Sequence, residues 1–357
     1  MSQSMGSISW LCPSIRPHSL QVVARHYFLK FPSNSFLLSF SRNRNNNPLA
    51  HKLTLPLSSS LSHSMANPFQ VSASSTMGAA DEELDTKSSS IVGEHDLLIV
   101  GPGVLGRLVA EKWRQEHPSC QVYGQTMTTD HHDELVKMGI NPSLKETKPA
   151  HQFPYVIFCA PPSRTSDYPG DVREATLSWN GEGCFLFTSS SAPYDCNDNG
   201  QCDEDTPVVP IGRSPRTDVL LKAEKVVVES GGSVLRLAGL YKADRGAHTY
   251  WLEKGIVDIR PDHVLNLIHY EDAASLSVAI LKKNFHGRIF LGCDNHPVSR
   301  QEVMDLVAKS GKFSKKFEAF TGTNDPLGKR LNNSKTRADV GWEPKYPSFA
   351  HFLGVSD

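Results

Sequence analysis

The chain has 357 residues, with 37 lysines and arginines against 38 aspartates and glutamates. Six of the basic residues and none of the acids lie before residue 74, so the remainder carries a net charge of −7. An acidic remainder argues against nucleic acid as a partner, and no apolar run reaches the ~18 residues of a membrane-spanning helix.

Residues 1–73 have the composition of an organelle transit peptide. They are rich in serine, asparagine and basic residues, and the first acid of the chain is Asp81. Segments of this kind are removed on import, and the serine content favours a plastid. We therefore expect a plant protein of the chloroplast stroma, with a polar linker over residues 74–94. The alternative is a disordered cytosolic tail without a targeting role.

A glycine-rich turn follows a short apolar run at residues 97–100 and precedes an amphipathic segment. Its G-x-G-x-x-G spacing is typical of a turn that holds the pyrophosphate of a dinucleotide. Gly101 permits the tight turn, Gly103 lets main-chain N–H groups approach the phosphates, and Gly106 lets the helix pack on the strand. Because a helix N-terminus favours an anion, the predicted contacts are Gly101, Gly103, Val104, Leu105 and Gly106.

Strands and helices alternate after this turn, at a spacing that predicts an α/β fold with a doubly wound parallel sheet of the Rossmann type. In such a sheet the ligand lies at the carboxyl ends of the strands. Beyond the first strand and helix, strands are predicted at residues 120–124, 155–160, 184–188 and 234–238, and helices at 133–138 and 217–230.

The last hundred residues are less regular. Phe290 and Leu291 are expected in a short strand, and the capping box Ser299–Glu302 opens a helix that ends at Gly311. We expect a nucleotide-binding Rossmann domain over residues 95–275 and a smaller C-terminal lobe over residues 276–357 that completes the substrate side.

Several separate segments together resemble the extended short-chain dehydrogenase/reductase superfamily, in its nucleotide-sugar epimerase and dehydratase-like branch. The resemblance covers about residues 95 to 350 and implies a Rossmann fold with an NAD(P) cofactor. The segments are the glycine turn, FLFTSSSAPYD (Phe185–Asp195), DEDTPVVP (Asp203–Pro210), AEKVVVESGGSVLRLAGLY (Ala223–Tyr241) and NLIHYEDAA (Asn266–Ala274).

The chain departs from this family at the residues that carry its redox chemistry. Members use a tyrosine and, four positions later, a lysine that lowers the pKa of the phenol for proton exchange with the substrate. Counted back from Glu224, these positions are Arg216 and Leu220. Arginine stays protonated and cannot be a general base, and Lys222 points elsewhere on the helix. The resemblance thus implies an atypical member.

Three residues are candidates for catalysis. Ser190 matches the position of the family's catalytic serine, although it can equally be a strand-end serine that contacts cofactor or main chain. Tyr194 and Tyr250, the latter in the string Tyr250–Lys254, are the candidate proton donors. His269 is a further alternative, because histidine titrates near neutral pH.

The residues at the end of the second predicted strand give partial evidence on the preference between NAD and NADP. In Rossmann folds that bind NAD, a carboxylate binds the ribose hydroxyls. Its expected position here is Gln125 or Thr126, and neither residue is acidic. This favours NADP over NAD, although no arginine lies near in the sequence to bind a 2′-phosphate. Ala160 and Pro161, at the end of the third predicted strand, are further predicted cofactor contacts.

No metal site is predicted. The seven cysteines form no C-x-x-C pair, and a calcium-like loop that starts at Asp195 has Thr206 in place of the bidentate acid. Cys196 and Cys202 are either free thiols or a reversible disulfide. The basic string Gly328–Arg337 is predicted to be a solvent-exposed face.

Two functions stay open from sequence. The first is an NAD(P)-dependent oxidoreductase or epimerase-like enzyme that acts on a small metabolite. If the metabolite is anionic, Arg216 and Arg245 are the candidate residues that bind it. The second is a non-catalytic nucleotide-binding sensor or assembly factor of the plastid. The net charge disfavours a third, an RNA-associated protein. The expected partner is a small-molecule substrate, with no nucleic acid and no membrane, and a homodimer is an open alternative to a monomer.

Overall fold

The computed structural model describes residues 92–147 and 151–356. The predicted transit peptide, residues 1–73, and residues 74–91 of the predicted linker lie outside the described residues. No helix within the described ranges is long and apolar enough to cross a bilayer.

The strands of this part of the chain are β1 (Leu97–Val100), β2 (Val122–Thr126), β3 (Ile140–Leu144), β4 (Phe153–Phe158), β5 (Trp179–Ser190), β6 (Asp198–Cys202), β7 (Ser233–Leu237), β8 (Gly239–Tyr241), β9 (Ile256–Val257), β10 (Val264–Leu265), β11 (Leu267–His269), β12 (Ile289–Gly292), β13 (Val298–Ser299), β14 (Ala319–Phe320) and β15 (Gly328–Leu331). The helices are α1 (Val104–Glu116), α2 (His132–Lys137), α3 (Tyr168–Thr176), α4 (Pro215–Glu229), α5 (Ala247–Lys254), α6 (Tyr270–Lys282), α7 (Arg300–Ser310), α8 (Ser334–Val340) and α9 (Phe349–Leu353).

Seven parallel strands make the central sheet, in the order β12-β7-β5-β4-β1-β2-β3. Successive side chains of a strand point to opposite faces. Leu97 and Ile99 of β1 accordingly share a core with α1 and α6, whereas Leu98 and Val100 share another with α3 and α4. Helices therefore cover both faces, and the predicted doubly wound Rossmann fold is confirmed.

The direction in which the chain adds strands reverses at β1. From β1 the chain passes through α1 to β2 and β3 on one side, and then returns to place β4 and β5 on the other side. Ligands of open α/β sheets bind at such a reversal, outside the carboxyl ends of the strands. The candidate site is therefore built from the residues that follow β1, β2, β4 and β5.

A second, four-stranded sheet has the order β13-β10-β15-β6. In it β15, near the end of the chain, pairs in parallel with β6 from the loop after β5. The boundary predicted between residues 275 and 276 falls inside α6, and β12 extends the central sheet beside β7. The C-terminal lobe thus differs from the prediction, because residues 276–292 bury their apolar side chains in the Rossmann core.

Helix α7 begins and ends as its sequence predicts. The Ser299 hydroxyl accepts a hydrogen bond from the N–H of Glu302, and the Glu302 carboxylate accepts one from the N–H of Ser299. Gly311 ends the helix with a φ of 62°, in the left-handed region that glycine tolerates. The predicted capping box is confirmed.

Candidate functional site

The turn after β1 is held against both neighbouring strands. Gly101 has a φ of 79°, which favours glycine, and its N–H donates to the carbonyl of Gln125 in β2 at 2.9 Å. A Cβ at position 101 would lie 2.7 Å from the Cα of Ala160, which follows β4. A larger residue would therefore push the turn away from β4.

Gly103 leaves an open space at the N-terminus of α1. It is the N-cap residue, with a φ of −76°, and no side chain caps the helix. Among the described residues, leaving out its two chain neighbours, the one atom within 4 Å of a Cβ built at Gly103 would be the carbonyl oxygen of Gly101, 4.0 Å away. The N–H groups of Val104, Leu105 and Gly106 lie in the first turn, where no intrahelical acceptor exists. This end of the helix therefore offers donors to an anion.

Gly106 determines how closely α1 approaches the sheet. A Cβ at this position would lie 2.8 Å from Cγ2 of Ile99 in β1. Because glycine lets the helix pack this closely, the first turn of α1 stands beside the end of β1, as the spacing of the three glycines predicts.

The helix that follows β2 is joined to an arginine that was not predicted. Thr126 donates a hydrogen bond to the carbonyl of Ser143 at 3.2 Å and lies 2.7 Å from Nε2 of His132. Arg107, in the first turn of α1, forms an ion pair of 2.9 Å with Glu134 in α2, the helix that follows β2. The expectation that no arginine is near is thus corrected. Arg107 precedes β2 in the chain, but its ion pair with Glu134 places it next to α2, the helix that follows β2.

The main chain after β4 is fixed by two hydroxyl groups. The phenol of Tyr168 donates to the carbonyl of Ala160 at 2.8 Å, and burial raises the pKa of this phenol, which keeps it a donor. The hydroxyl of Thr188 in β5 donates to the carbonyl of Phe158 at 3.0 Å. Ala160 and Pro161 therefore stand at a defined place opposite Gly101.

A buried ion pair anchors the end of β5. Glu224 in α4 and Arg236 in β7 are each 5% exposed and are joined by hydrogen bonds of 2.7 to 3.2 Å. The hydroxyl of Ser189 donates to the same carboxylate at 2.6 Å. Because a buried charge without its partner is costly, these contacts fix α4, β5 and β7 relative to one another and so determine where Ser190 lies.

Ser190 is half-buried at the carboxyl edge of the sheet, and its Oγ accepts a hydrogen bond from the N–H of Ala192 at 3.2 Å. Lys329 in β15 binds the loop that follows, with Nζ 2.6 Å from the carbonyl oxygen of Tyr194. Burial lowers the pKa of Lys329. The basic string that contains Lys329 was expected to face solvent, so the contribution of this residue to the site was missed.

The candidate proton donors have different surroundings. Tyr194 is 1% exposed, its ring lies 4.8 Å from Cζ of Arg236, and burial raises its pKa to about 12. Tyr250 is half-buried on α5, and Nζ of Lys254 lies 5.7 Å from its ring centroid. Burial lowers the pKa of His269 to about 4. The proton-transfer roles of Ser190, Tyr194 and Tyr250 stay predictions.

Helix α4 contains the two positions at which the family that the sequence resembles has its tyrosine and its lysine. Arg216 is exposed in the first turn, Leu220 is buried one turn later, and Lys222 is exposed. Arg216 makes no ion pair within the described part of the chain. Because α4 leads directly into β7, which is parallel to β5, its first turn lies towards the carboxyl edge of the sheet, where a free guanidinium can meet a ligand.

The strand order, the glycine turn and the open space at Gly103 define a Rossmann-type nucleotide-binding fold. Solved structures of a nucleotide-sugar dehydratase and of a nucleotide-sugar epimerase, each in complex with NAD, have a similar fold. No protein-family model and no curated protein matches the chain by sequence, so the likeness is carried by solved structures.

Three of these structures show how far the likeness extends. A functionally unknown conserved protein from Silicibacter pomeroyi is 21% identical, with a TM-score of 0.62, over 73% of this chain and 97% of that one. A dTDP-glucose 4,6-dehydratase from Bacillus anthracis, in complex with NAD, is 15% identical, with a TM-score of 0.59, over 72% and 94%. A UDP-glucuronic acid 4-epimerase from Bacillus cereus, in complex with NAD, is 14% identical, with a TM-score of 0.57, over 72% and 94%. At these identities the likeness establishes the fold.

Proposed function

We propose that the protein binds a nicotinamide dinucleotide at the carboxyl edge of the central sheet. We further propose that it is an NAD(P)-dependent oxidoreductase or epimerase-like enzyme that acts on a small, anionic metabolite. The observation that carries the proposal is the space at Gly103 next to the uncapped N–H groups of α1. Beyond the chain neighbours of Gly103, the Gly101 carbonyl is the one group of the described residues that comes within 4 Å of a Cβ built there. The two named enzymes that share the fold are in complex with NAD, which supports a cofactor of this class.

The end of β2 supports a preference for NADP. Gln125 and Thr126 supply no carboxylate that would repel a 2′-phosphate. Arg107 reaches the helix after β2, and its partner Glu134 is 58% exposed. Exposed ion pairs are weak, so a phosphate group competes well for this guanidinium.

Arg216 and Ser190 support an anionic substrate with a reacting oxygen. The guanidinium of Arg216 has no acid partner within the described ranges and suits bidentate binding of a carboxylate or phosphate. The hydroxyl of Ser190, at the end of β5, is placed to donate to a substrate oxygen. Tyr194 and Tyr250 are the proposed proton donors, in the absence of the family's tyrosine and lysine.

A non-catalytic role, as a redox-state sensor or assembly factor, is favoured by one observation. Tyr194 is buried against Arg236, and burial keeps its pKa at about 12, so its proton is hard to remove. Both candidate functions require nucleotide binding. An oxidoreductase consumes NADPH when plastid carbonyl compounds are added, which a loss of NADPH absorbance measures. An epimerase-like enzyme returns the hydride to its substrate, so conversion of the substrate to an isomer detects it, and a non-catalytic protein gives neither signal.

Gly103→Ala tests the nucleotide site. The φ of −76° suits alanine. Apart from the two chain neighbours, no atom of the described residues lies closer than 4.0 Å to the added Cβ, so the unfolding temperature should not change. The same Cβ occupies the space for the pyrophosphate, and we expect the affinity for NADPH to fall about tenfold or more. Fluorescence titration of the purified domain with NADPH and NADH measures this.

Gly106→Ala is the matched comparison. Its Cβ would lie 2.8 Å from Ile99, so this variant should lose stability as well as affinity. Wild-type protein that binds neither nucleotide, or a Gly103→Ala variant with unchanged affinity, would contradict the proposal.

The composition of residues 1–73 supports a further proposal, that this segment directs the protein to the chloroplast stroma.

A further inference from the structure

A lysine from near the end of the chain binds the loop that follows β5. Nζ of Lys329 lies 2.6 Å from the carbonyl oxygen of Tyr194, 3.3 Å from that of Ser191 and 3.5 Å from that of Ala192. An ammonium group has three N–H donors and no acceptor, so its donors are directed at one loop. Lys329 has no carboxylate partner among the ion pairs of the described residues.

The three carbonyl groups converge, and each carries partial negative charge. The ammonium neutralises this charge through charge-assisted hydrogen bonds, which are stronger than those between neutral groups. Without a cation at this point the three oxygens would repel one another, and the loop would relax away from its present path. The loop begins directly after Ser190, so its path determines what stands beside the serine hydroxyl.

We propose that Lys329 is a positioning residue for the nicotinamide half of the cofactor site. This inference rests on the proposed function, since it takes a dinucleotide to lie across the sheet at the reversal of strand order. In that arrangement the adenosine half lies over β1 and β2, and the nicotinamide half lies over β4 and β5. Lys329 fixes only the loop after β5, and its effect is therefore confined to one half of the ligand.

Lysine suits this task better than arginine. Its ammonium is a compact charge whose three donors diverge from a single nitrogen, whereas the guanidinium of arginine is a planar fork. Lys329→Arg keeps the charge but cannot direct three donors at these carbonyl groups. The two variants Lys329→Met and Lys329→Arg should therefore behave alike.

Calorimetric titration with NADPH and with 2′-phospho-ADP-ribose, which lacks the nicotinamide, tests the proposal. We expect Lys329→Met to weaken NADPH binding about tenfold and to leave the affinity for 2′-phospho-ADP-ribose unchanged. Hydrogen–deuterium exchange should become faster over residues 190–196 and stay unchanged at the glycine turn. The control is Lys335→Met, which removes an exposed lysine of the same segment that pairs with Asp205 at 2.7 Å; it should alter none of these readouts.

The role proposed for Lys329 would be overturned if Lys329→Met lowered the affinity for both ligands equally or for neither. So would faster exchange throughout the protein, because a merely structural lysine gives that result. Wild-type protein that binds neither ligand would instead refute the proposed nucleotide site. In that case the exchange measurement still decides whether Lys329 fixes the loop.

Discussion

Asp294 is a carboxylic acid that the fold keeps away from water. It follows β12 and is 4% exposed, with Oδ1 accepting a hydrogen bond from the N–H of His296 at 2.9 Å. Its Oδ2 has no hydrogen-bond partner among the described residues. Burial raises the pKa of Asp294 to about 8, and the charge of Asp272 acts in the same direction while that of Arg337 opposes it. The folded protein therefore holds a proton that the unfolded chain releases.

Asp294→Asn should make the protein more stable in mild alkali. Between the ordinary carboxyl pKa of about 4 and a folded-state pKa of about 8, the unfolded chain is ionised and the folded chain is not. Wild-type stability consequently falls as the pH rises through this window, by up to about 1.4 kcal/mol per pH unit. Asparagine keeps the shape and does not titrate, so the unfolding temperature of the variant should exceed that of wild type increasingly towards pH 8.

The exposed Asp305 supplies the control. Asp305→Asn should leave the pH dependence of the unfolding temperature as it is in wild type, because this side chain faces solvent. Parallel pH profiles for wild type and Asp294→Asn would show that Asp294 does not titrate in this window.

At the scale of elements, α4, β5 and β7 are joined by Glu224, Ser189 and Arg236. Glu224→Ala leaves Arg236 buried without its partner, and we expect a loss of about 3–5 kcal/mol in the free energy of unfolding. Urea denaturation measures this. The double variant Glu224→Gln/Arg236→Met removes both charges and should recover much of the loss. Glu229→Ala removes an exposed carboxylate of the same helix and should change stability by less than about 1 kcal/mol; a loss equal to that of Glu224→Ala would refute the argument.

Elements with a local signal could be predicted, and elements that depend on distant partners could not. Helix α7 carries its own start and stop in Ser299, Glu302 and Gly311, and both ends were correct. Strand β3 escaped prediction because Pro142 lies at its centre between the polar residues Asn141 and Ser143. It lies at the edge of the sheet and pairs only with β2, and an edge strand tolerates proline since one side needs no ladder hydrogen bonds.

In the candidate site, too, residues with a local sequence signal could be predicted and residues that depend on distant contacts could not. Gly101, Gly103 and Gly106 lie in one short motif, so the geometry of the turn could be derived from spacing alone. Arg107 and Lys329 reach the site through the ion pair of Arg107 with Glu134 and through pairing of β15 with β6. Sequence separation hides both contacts. A single sequence therefore indicates the glycine turn better than the parts of the candidate site that distant residues complete.

At the scale of the whole molecule, the chain is uneven in charge. The basic segment before residue 74 and the acidic remainder behave as separate parts in the predicted import. We expect residues 1–80 to carry a fluorescent protein into the chloroplast stroma with cleavage near residue 73, whereas residues 74–357 fused in the same way should stay outside. Microscopy and mass spectrometry of the mature N-terminus measure this. Cytosolic fluorescence from the first fusion would favour the disordered tail.

The contact between Lys329 and Tyr194 joins positions 135 residues apart. A ribosome therefore makes the glycine turn and Ser190 long before it makes the cation that binds the intervening loop. A chain that stops before residue 328 contains the whole glycine turn, but it lacks the lysine that contacts the loop after Ser190. We therefore expect a fragment that ends before β15 to keep the glycine turn and to lose the present path of this loop.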